Sequence, residues 1–174
     1  MCKHPDQSND EESPEPITSR SWLPYAVLLA VVMITALVLR LDGLTRSLEY
    51  DEIWPWRELS AMTPFDTLVH PRDVRHPLTN MISTLLPAAV GPGDQHPSEI
   101  LVRLGSLIAG LLLVPAAALL ATALTRRRSC GILAAALLAV DPVLIHFSQT
   151  LRGYIFEALF AVLLCWWLQL HELR

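Results

Sequence analysis

Charge is scarce in this chain. Only 17% of its 174 residues are Asp, Glu, Lys or Arg, whereas 52% are hydrophobic. Average soluble domains carry roughly 25% charged residues, so the composition argues against an ordinary water-facing surface. Cysteine is scarcer still. Cys2, Cys130 and Cys165 are the whole complement, and their spacing fits neither a zinc site nor a disulfide framework. No internal repeat is present. A secretory signal is also missing, because a signal opens with basic residues and a short apolar run. The first twenty residues, MCKHPDQSNDEESPEPITSR, are instead acidic and rich in Pro and Ser. Such a stretch buries too little surface to offset the entropy of ordering. Residues 1–21 are therefore read as a disordered cytoplasmic tail, and the apolar run behind it as a retained anchor. No nucleic-acid partner is expected.

What the chain does have is long apolar runs. Crossing a bilayer takes roughly 17–25 apolar residues in a helix, which satisfies its own backbone hydrogen bonds in lipid. Four runs qualify, at about 23–41, 100–124, 131–147 and 154–170. The first carries Arg40 at its end, expected to snorkel to the interface. The second holds one charge, Arg103, near its start. The third contains Asp141 and Pro142. The fourth has Glu157 one turn in, and Trp166 and Trp167 near its far end, where an aromatic belt is expected. The predicted fold is an all-α polytopic membrane protein with about four transmembrane helices. Interfacial helices are expected in its first external loop, residues 42–99.

Arg126, Arg127 and Arg128 form the densest basic cluster, and the positive-inside tendency assigns their turn to the cytoplasm. Counting spans from there makes the amino terminus cytoplasmic and the 42–99 loop external. Within that loop, residues 77–90 read PLTNMISTLLPAAV, too short for a comfortable span. Leu78, Met81, Ile82, Leu85 and Ala89 recur at helical spacing, with Thr79, Asn80, Ser83 and Thr84 on another face. That pattern suits a helix lying in the interface plane. A second short helix is expected from Pro55 to about Val69, since proline suits the first helical position.

Three places carry chemistry. Asp51 and Glu52 are adjacent carboxylates among Tyr50, Ile53 and Trp54. Neighbouring carboxylates and apolar surroundings both favour the protonated form, as suits a general base or a metal ligand. An acidic helix start is the plainer reading. His70 and His76 flank a Pro- and Arg-containing stretch whose spacing is not a zinc signature, and both also read as ordinary loop residues. Arg152, beside Tyr154 in the run HFSQTLRGYIFE, offers a guanidinium fork that matches phosphate oxygens. It reads equally as a partner for lipid headgroups or Glu157.

The order of these pieces resembles the membrane glycosyltransferases of the GT-C superfamily, and within it the protein mannosyltransferase and aminoarabinose transferase group. One span is followed at once by Tyr50-Asp51-Glu52. Then come His76-Pro77-Leu78, similar to the family's His-Pro-Pro-Leu, and Arg103-Leu104-Gly105-Ser106-Leu107-Ile108-Ala109-Gly110, similar to Arg-Leu-Pro-Ser-Ala-Leu-Ala-Gly. A basic turn and a span ending near Asp141-Pro142 follow. Ser148-Gln149-Thr150-Leu151-Arg152-Gly153-Tyr154 closes the series, similar to Ser-Gln-x-x-Arg-x-Tyr. The resemblance covers about residues 25–170. It implies transfer of a sugar from a polyprenyl-phosphate donor to an acceptor on the outer face, with inversion. Asp51 would be the catalytic base, supported by Glu52. Arg152 and Tyr154 would bind the donor phosphate, and Tyr50, His76 and Gln149 the substrate. Some relatives hold a divalent metal beside the acidic pair, and His76 is the best-placed local ligand. Asp51 and Arg152 would flank a single sugar, roughly 8–15 Å apart.

The chain departs from the pattern in having one proline after His76, Gly105 in place of proline, and an end after four spans. Relatives carry several more spans, so an incomplete enzyme is expected, with membrane lipid and a second chain supplying missing helices as partners. Two other classes compete. One is a small non-catalytic membrane protein that assembles with partner helices. The other is a transporter fragment using Asp141 and Glu157 as intramembrane carboxylates.

Overall fold

The computed structural model describes residues 22–44, 52–53, 63, 65, 81–82, 84–85 and 99–172, and among these it is all-helical. Its main helices are α1 (Leu23–Leu41), α2 (Glu99–Thr125), α3 (Arg128–Val140), α4 (Pro142–Ser148) and α5 (Tyr154–Glu172). Three of them, α1, α2 and α5, are long and apolar enough to cross a membrane. Taken as one bent span, α3 and α4 make a fourth crossing. The chain is an integral membrane protein. Its α1 has 19 residues, about 28 Å at 1.5 Å per residue, close to the hydrocarbon thickness of roughly 30 Å.

Helix α2 is the centre of the bundle. Of its apolar window 44% is buried, against 11% for α1 and 17% for α5, so the outer two helices give most of their surface to lipid. One side of α2 packs Val114 and Ala118 on Ala36 of α1 and on Ala135 and Ala139 of α3. The other packs Ala109, Leu113 and Ala116 on Ile155, Phe156 and Leu159 of α5. Lipid tails are as apolar as leucine, so helices in a bilayer associate through close packing and polar contacts rather than hydrophobic drive. Alanines serve the first need. At Gly131 of α3 the approach is closer still, since a Cβ there would come within 2.7 Å of the Ala118 carbonyl oxygen.

The third apolar run, expected as one helix over 131–147, is broken. Helices α3 and α4 meet at Asp141 with a 64° bend. Pro142 has no N–H and disfavours helical backbone in the residue before it. Asp141 accordingly adopts φ −64°, ψ 119°. Its Oδ1 accepts hydrogen bonds from Val143 N at 2.8 Å and Leu144 N at 3.0 Å, an N-terminal cap for α4. Asp141 is thus engaged as a cap, and Glu157, in the first turn of α5, is exposed. Pro115, inside α2, does not end its helix.

Two further expectations need correction. Arg40 does not snorkel. It is wholly buried, for reasons that belong to the site. Of the interfacial helix expected over 77–90, Met81, Ile82, Thr84 and Leu85 are described, and all four are helical. Ile82 packs against the α2–α5 cluster. Thr84, expected on a polar face, is buried instead and donates to Met81 O at 2.9 Å, so its hydroxyl is satisfied without water. The helix expected from Pro55 to Val69 falls almost wholly outside the described residues.

Candidate functional site at the Ser148–Tyr154 segment

The polar side chains of the bundle gather where α1 ends, α2 begins and the chain turns from α4 into α5. Their arrangement follows from the broken span. In an unbroken helix Leu138 O would accept from residue 142 and Ala139 O from residue 143. Residue 142 is proline, and Val143 N is taken by Asp141. Both carbonyls are therefore orphaned at the end of α3. Arg40 fills the gap. Its Nη2 donates to Leu138 O at 3.1 Å, its Nη1 to Ala139 O at 3.0 Å and to Ala36 O at 3.2 Å, and its Nε to Ser148 Oγ at 3.2 Å. The guanidinium thus sits where two helix C-termini direct partial negative charge, which lets a cation be buried inside the bundle.

The service is returned. Leu39 O and Arg40 O, at the end of α1, lack onward helical partners in the same way. Gln149 Nε2 donates to them at 3.0 and 3.2 Å. Side-chain bulk is excluded around both contacts. A Cβ at Gly43 would come within 2.2 Å of Gln149 Oε1, and one at Gly110 within 2.0 Å of Ser148 Oγ. A larger residue at either position would therefore displace the Gln149 amide or the Ser148 hydroxyl from its contact.

The third anchor comes from the acidic pair. Glu52 is fully buried. Its Oε2 accepts from Arg103 Nη2 at 2.5 Å, and its Oε1 accepts from Leu151 N at 2.5 Å. Arg103, 2% exposed, also donates from Nη1 to Leu44 O at 3.4 Å. Glu52 therefore ties the first loop to α2 and to the backbone one residue before Arg152. Around the same segment Ser106 Oγ and Thr150 Oγ1 are buried and make no hydrogen bond among the described residues.

The seven residues singled out in the sequence fare differently. Glu52, Gln149, Arg152 and Tyr154 lie in or against this one segment. Arg152 is half-buried and Tyr154 exposed, its ring 5.0 Å from that of Phe147. Gln149 directs its amide nitrogen at the α1 terminus. Tyr50, Asp51 and His76 lie outside the described residues. Sequence reading expected Arg40 to snorkel, and treated Ser148 only as part of a motif and Arg103 as a motif residue and a lone charge near the start of its run. The available signal was that both arginines interrupt apolar runs, where an ionisable group calls for a named partner. A divalent metal finds no fit in what is described. Both oxygens of Glu52 are engaged, its charge is balanced by Arg103, and no three His, Cys, Asp or Glu residues come together among the described residues.

Comparison with known proteins adds one finding. Searches of curated proteins and of solved structures gave no match. A family model did match, over residues 88–170, which is just under half of the chain. The match takes in α2 to α4 and α5 as far as Leu170, with Arg103 and the Ser148–Tyr154 segment, and leaves out α1 and the acidic pair. On that finding, the family this chain resembles is dolichyl-phosphate-mannose-protein mannosyltransferase.

Proposed function

We propose that the chain, from residue 22 to 174, is a module of an inverting membrane glycosyltransferase of the GT-C type. It would move a sugar, mannose or a related one, from a polyprenyl-phosphate carrier to an acceptor hydroxyl at the membrane surface. The observation that carries this reading is the Glu52–Leu151 bond. It joins the covalent neighbour of Asp51 to the covalent neighbour of Arg152. The bond holds Glu52 against Leu151, which supports a reading in which a base next to the first and a phosphate-binding cation next to the second serve one centre. In the proposed step Asp51 takes the proton of the acceptor hydroxyl as its oxygen attacks the anomeric carbon. The bond from that carbon to the phosphate oxygen breaks, and Arg152 holds the polyprenyl phosphate that leaves. Attack opposite the leaving group inverts the centre. Tyr154, Tyr50 and His76 would line the cleft, and Glu52, Gln149 and Arg40 would position it. A second chain supplying further helices remains part of this proposal.

Donor binding tests the reading directly. In nanodiscs containing a polyprenyl phosphate, Arg152→Ala should lower retention of that lipid by about tenfold or more, since a charge-assisted phosphate contact is worth roughly 1.5–3 kcal/mol. Unchanged retention would remove Arg152 from the site and leave the non-catalytic reading standing.

The reading also fixes an orientation. The site would face outward, and the amino terminus and Arg126–Arg128 turn would face the cytoplasm. In a background without the three native cysteines, single cysteines at positions 57 and 127 should label from opposite sides of sealed vesicles. Labelling of both from one side would reject the four-crossing topology.

A further inference from the structure

The opposite end of the bundle has a site of its own. Helix α2 ends at Thr125 and α3 begins at Arg128, so Arg126 and Arg127 alone make the turn. The turn is held tightly. Thr125 Oγ1 donates to Ala121 O at 2.6 Å and accepts from Arg127 N at 3.3 Å. Arg126 takes φ 57°, a left-handed conformation that costs an L-residue roughly 1–2 kcal/mol and is usually given to glycine or asparagine. The side chain kept there is a cation. Arg126 and Arg127 are both exposed, and neither makes an ion pair among the described residues. The third cation, Arg128, lies over the ring of Trp22, with its guanidinium carbon 3.5 Å from the ring centroid. Trp22 itself is 68% exposed and stands edge-on to Tyr25, 6.4 Å between centroids. The start of α1, the end of α2 and the start of α3 thus meet in a cluster of three guanidinium groups and two aromatic rings.

We infer that this cluster is a binding site for the phosphate of an anionic phospholipid in the leaflet on that side. Its depth argues for a lipid. The cluster caps three apolar helices where hydrocarbon gives way to headgroups, the level at which tryptophan and tyrosine settle. Its chemistry argues for phosphate. Guanidinium forks match phosphate oxygens bidentately, and basic residues beside a membrane surface each add roughly 1 kcal/mol of attraction to anionic lipid. Its preorganisation argues for a site rather than diffuse charge. A two-residue turn fixes the backbone from which two of the cations extend, and the Trp22 ring holds the third by cation–π attraction. The inference is independent of the proposed glycosyltransferase reading, which concerns the other face.

The test uses the whole chain in nanodiscs of phosphatidylcholine with a minor share of phosphatidylglycerol. Lipid retained after mild detergent extraction is counted by native mass spectrometry. The parent should keep phosphatidylglycerol over phosphatidylcholine by fivefold or more. Arg126→Gln with Arg127→Gln should bring that ratio near one, and Trp22→Ala should lower it in part. These positions are exposed, and an unchanged thermal midpoint would show that the fold survives. Equal retention by parent and double variant would overturn the inference. So would displacement of the lipid by millimolar inorganic phosphate, which would identify a free-anion site instead.

Discussion

Replacing Asp51 with asparagine is expected to lower sugar transfer about a thousandfold while leaving polyprenyl-phosphate retention at the parent level. General-base catalysis contributes typically about 10²–10⁴-fold, and asparagine keeps the size of the side chain while losing its basicity. The two readouts separate the roles assigned to the two ends of the segment. In the proposed step Asp51 acts on the acceptor, so its loss would be a loss of turnover. Arg152 would act on the carrier phosphate, so its loss would first be a loss of binding. Transfer would be followed in membranes containing the chain, with a polyprenyl-phosphate-linked mannose as donor. Turnover within a few-fold of the parent would exclude Asp51 as the base.

The second large effect is on stability. Removing Glu52 by Glu52→Ala takes its carboxylate away from the buried Arg103 and frees Leu151 N. Breaking a buried ion pair from one side costs about 3–5 kcal/mol. Combining Glu52→Ala with Arg103→Leu should cost less than Glu52→Ala alone, because the stranded charge goes with it. Helical signal followed through a denaturant titration in detergent gives both numbers. A single-variant loss below about 1 kcal/mol would show that the pair is not sealed from water, since exposed pairs contribute only about that much. The same titration would then find no advantage in the double variant.

The sequence is legible where lipid decides the outcome. The first run was expected at 23–41 and α1 is Leu23–Leu41, because nothing but hydrocarbon constrains its length and its flanks are polar. The second and fourth runs differ from α2 and α5 by one or two residues at their ends, where helix limits are soft in any case. Legibility fails where the bundle decides. Pro115 and Pro142 look alike in sequence, yet only the second breaks its helix. The difference lies beside them: Asp141 precedes Pro142 and supplies a cap for a new helix, and Arg40 supplies donors for the carbonyls left behind. Neither compensation is available to a reader of one run at a time. Arg40 was misplaced for the same reason. A long cationic side chain at a helix end snorkels by default, and only the position of the orphaned α3 carbonyls gives it an interior alternative.

The acidic pair shows a different limit. Asp51 and Glu52 are adjacent and chemically similar, and only the family resemblance divided labour between them. The structure adds the surroundings of Glu52. Glu52 has both oxygens committed, to Arg103 and to Leu151, so its contribution in the proposed enzyme is to hold the segment that carries Arg152. Gln149 is divided from Arg152 in the same fashion, with its amide turned toward α1. Ser148 and the Gln149 amide nitrogen thus anchor the segment to α1, and in the proposed enzyme its Arg-x-Tyr half would face the donor.

The exchange of donors between Arg40 and the far segment also sets an order of events in the making of the protein. The Arg40 side chain is synthesised ahead of Leu138, Ala139 and Ser148, which follow 98, 99 and 108 residues later. At about 5–20 residues per second that is a wait of roughly 5–20 s. During it α1 is in the membrane with a guanidinium that has none of those three acceptors, and water or headgroups at the nearer surface must take their place. Snorkelling, absent from the finished protein, is the state this order implies for the nascent chain. Arg40 would move inward only once the broken third span arrives, so closure of the bundle would wait on the last third of the sequence.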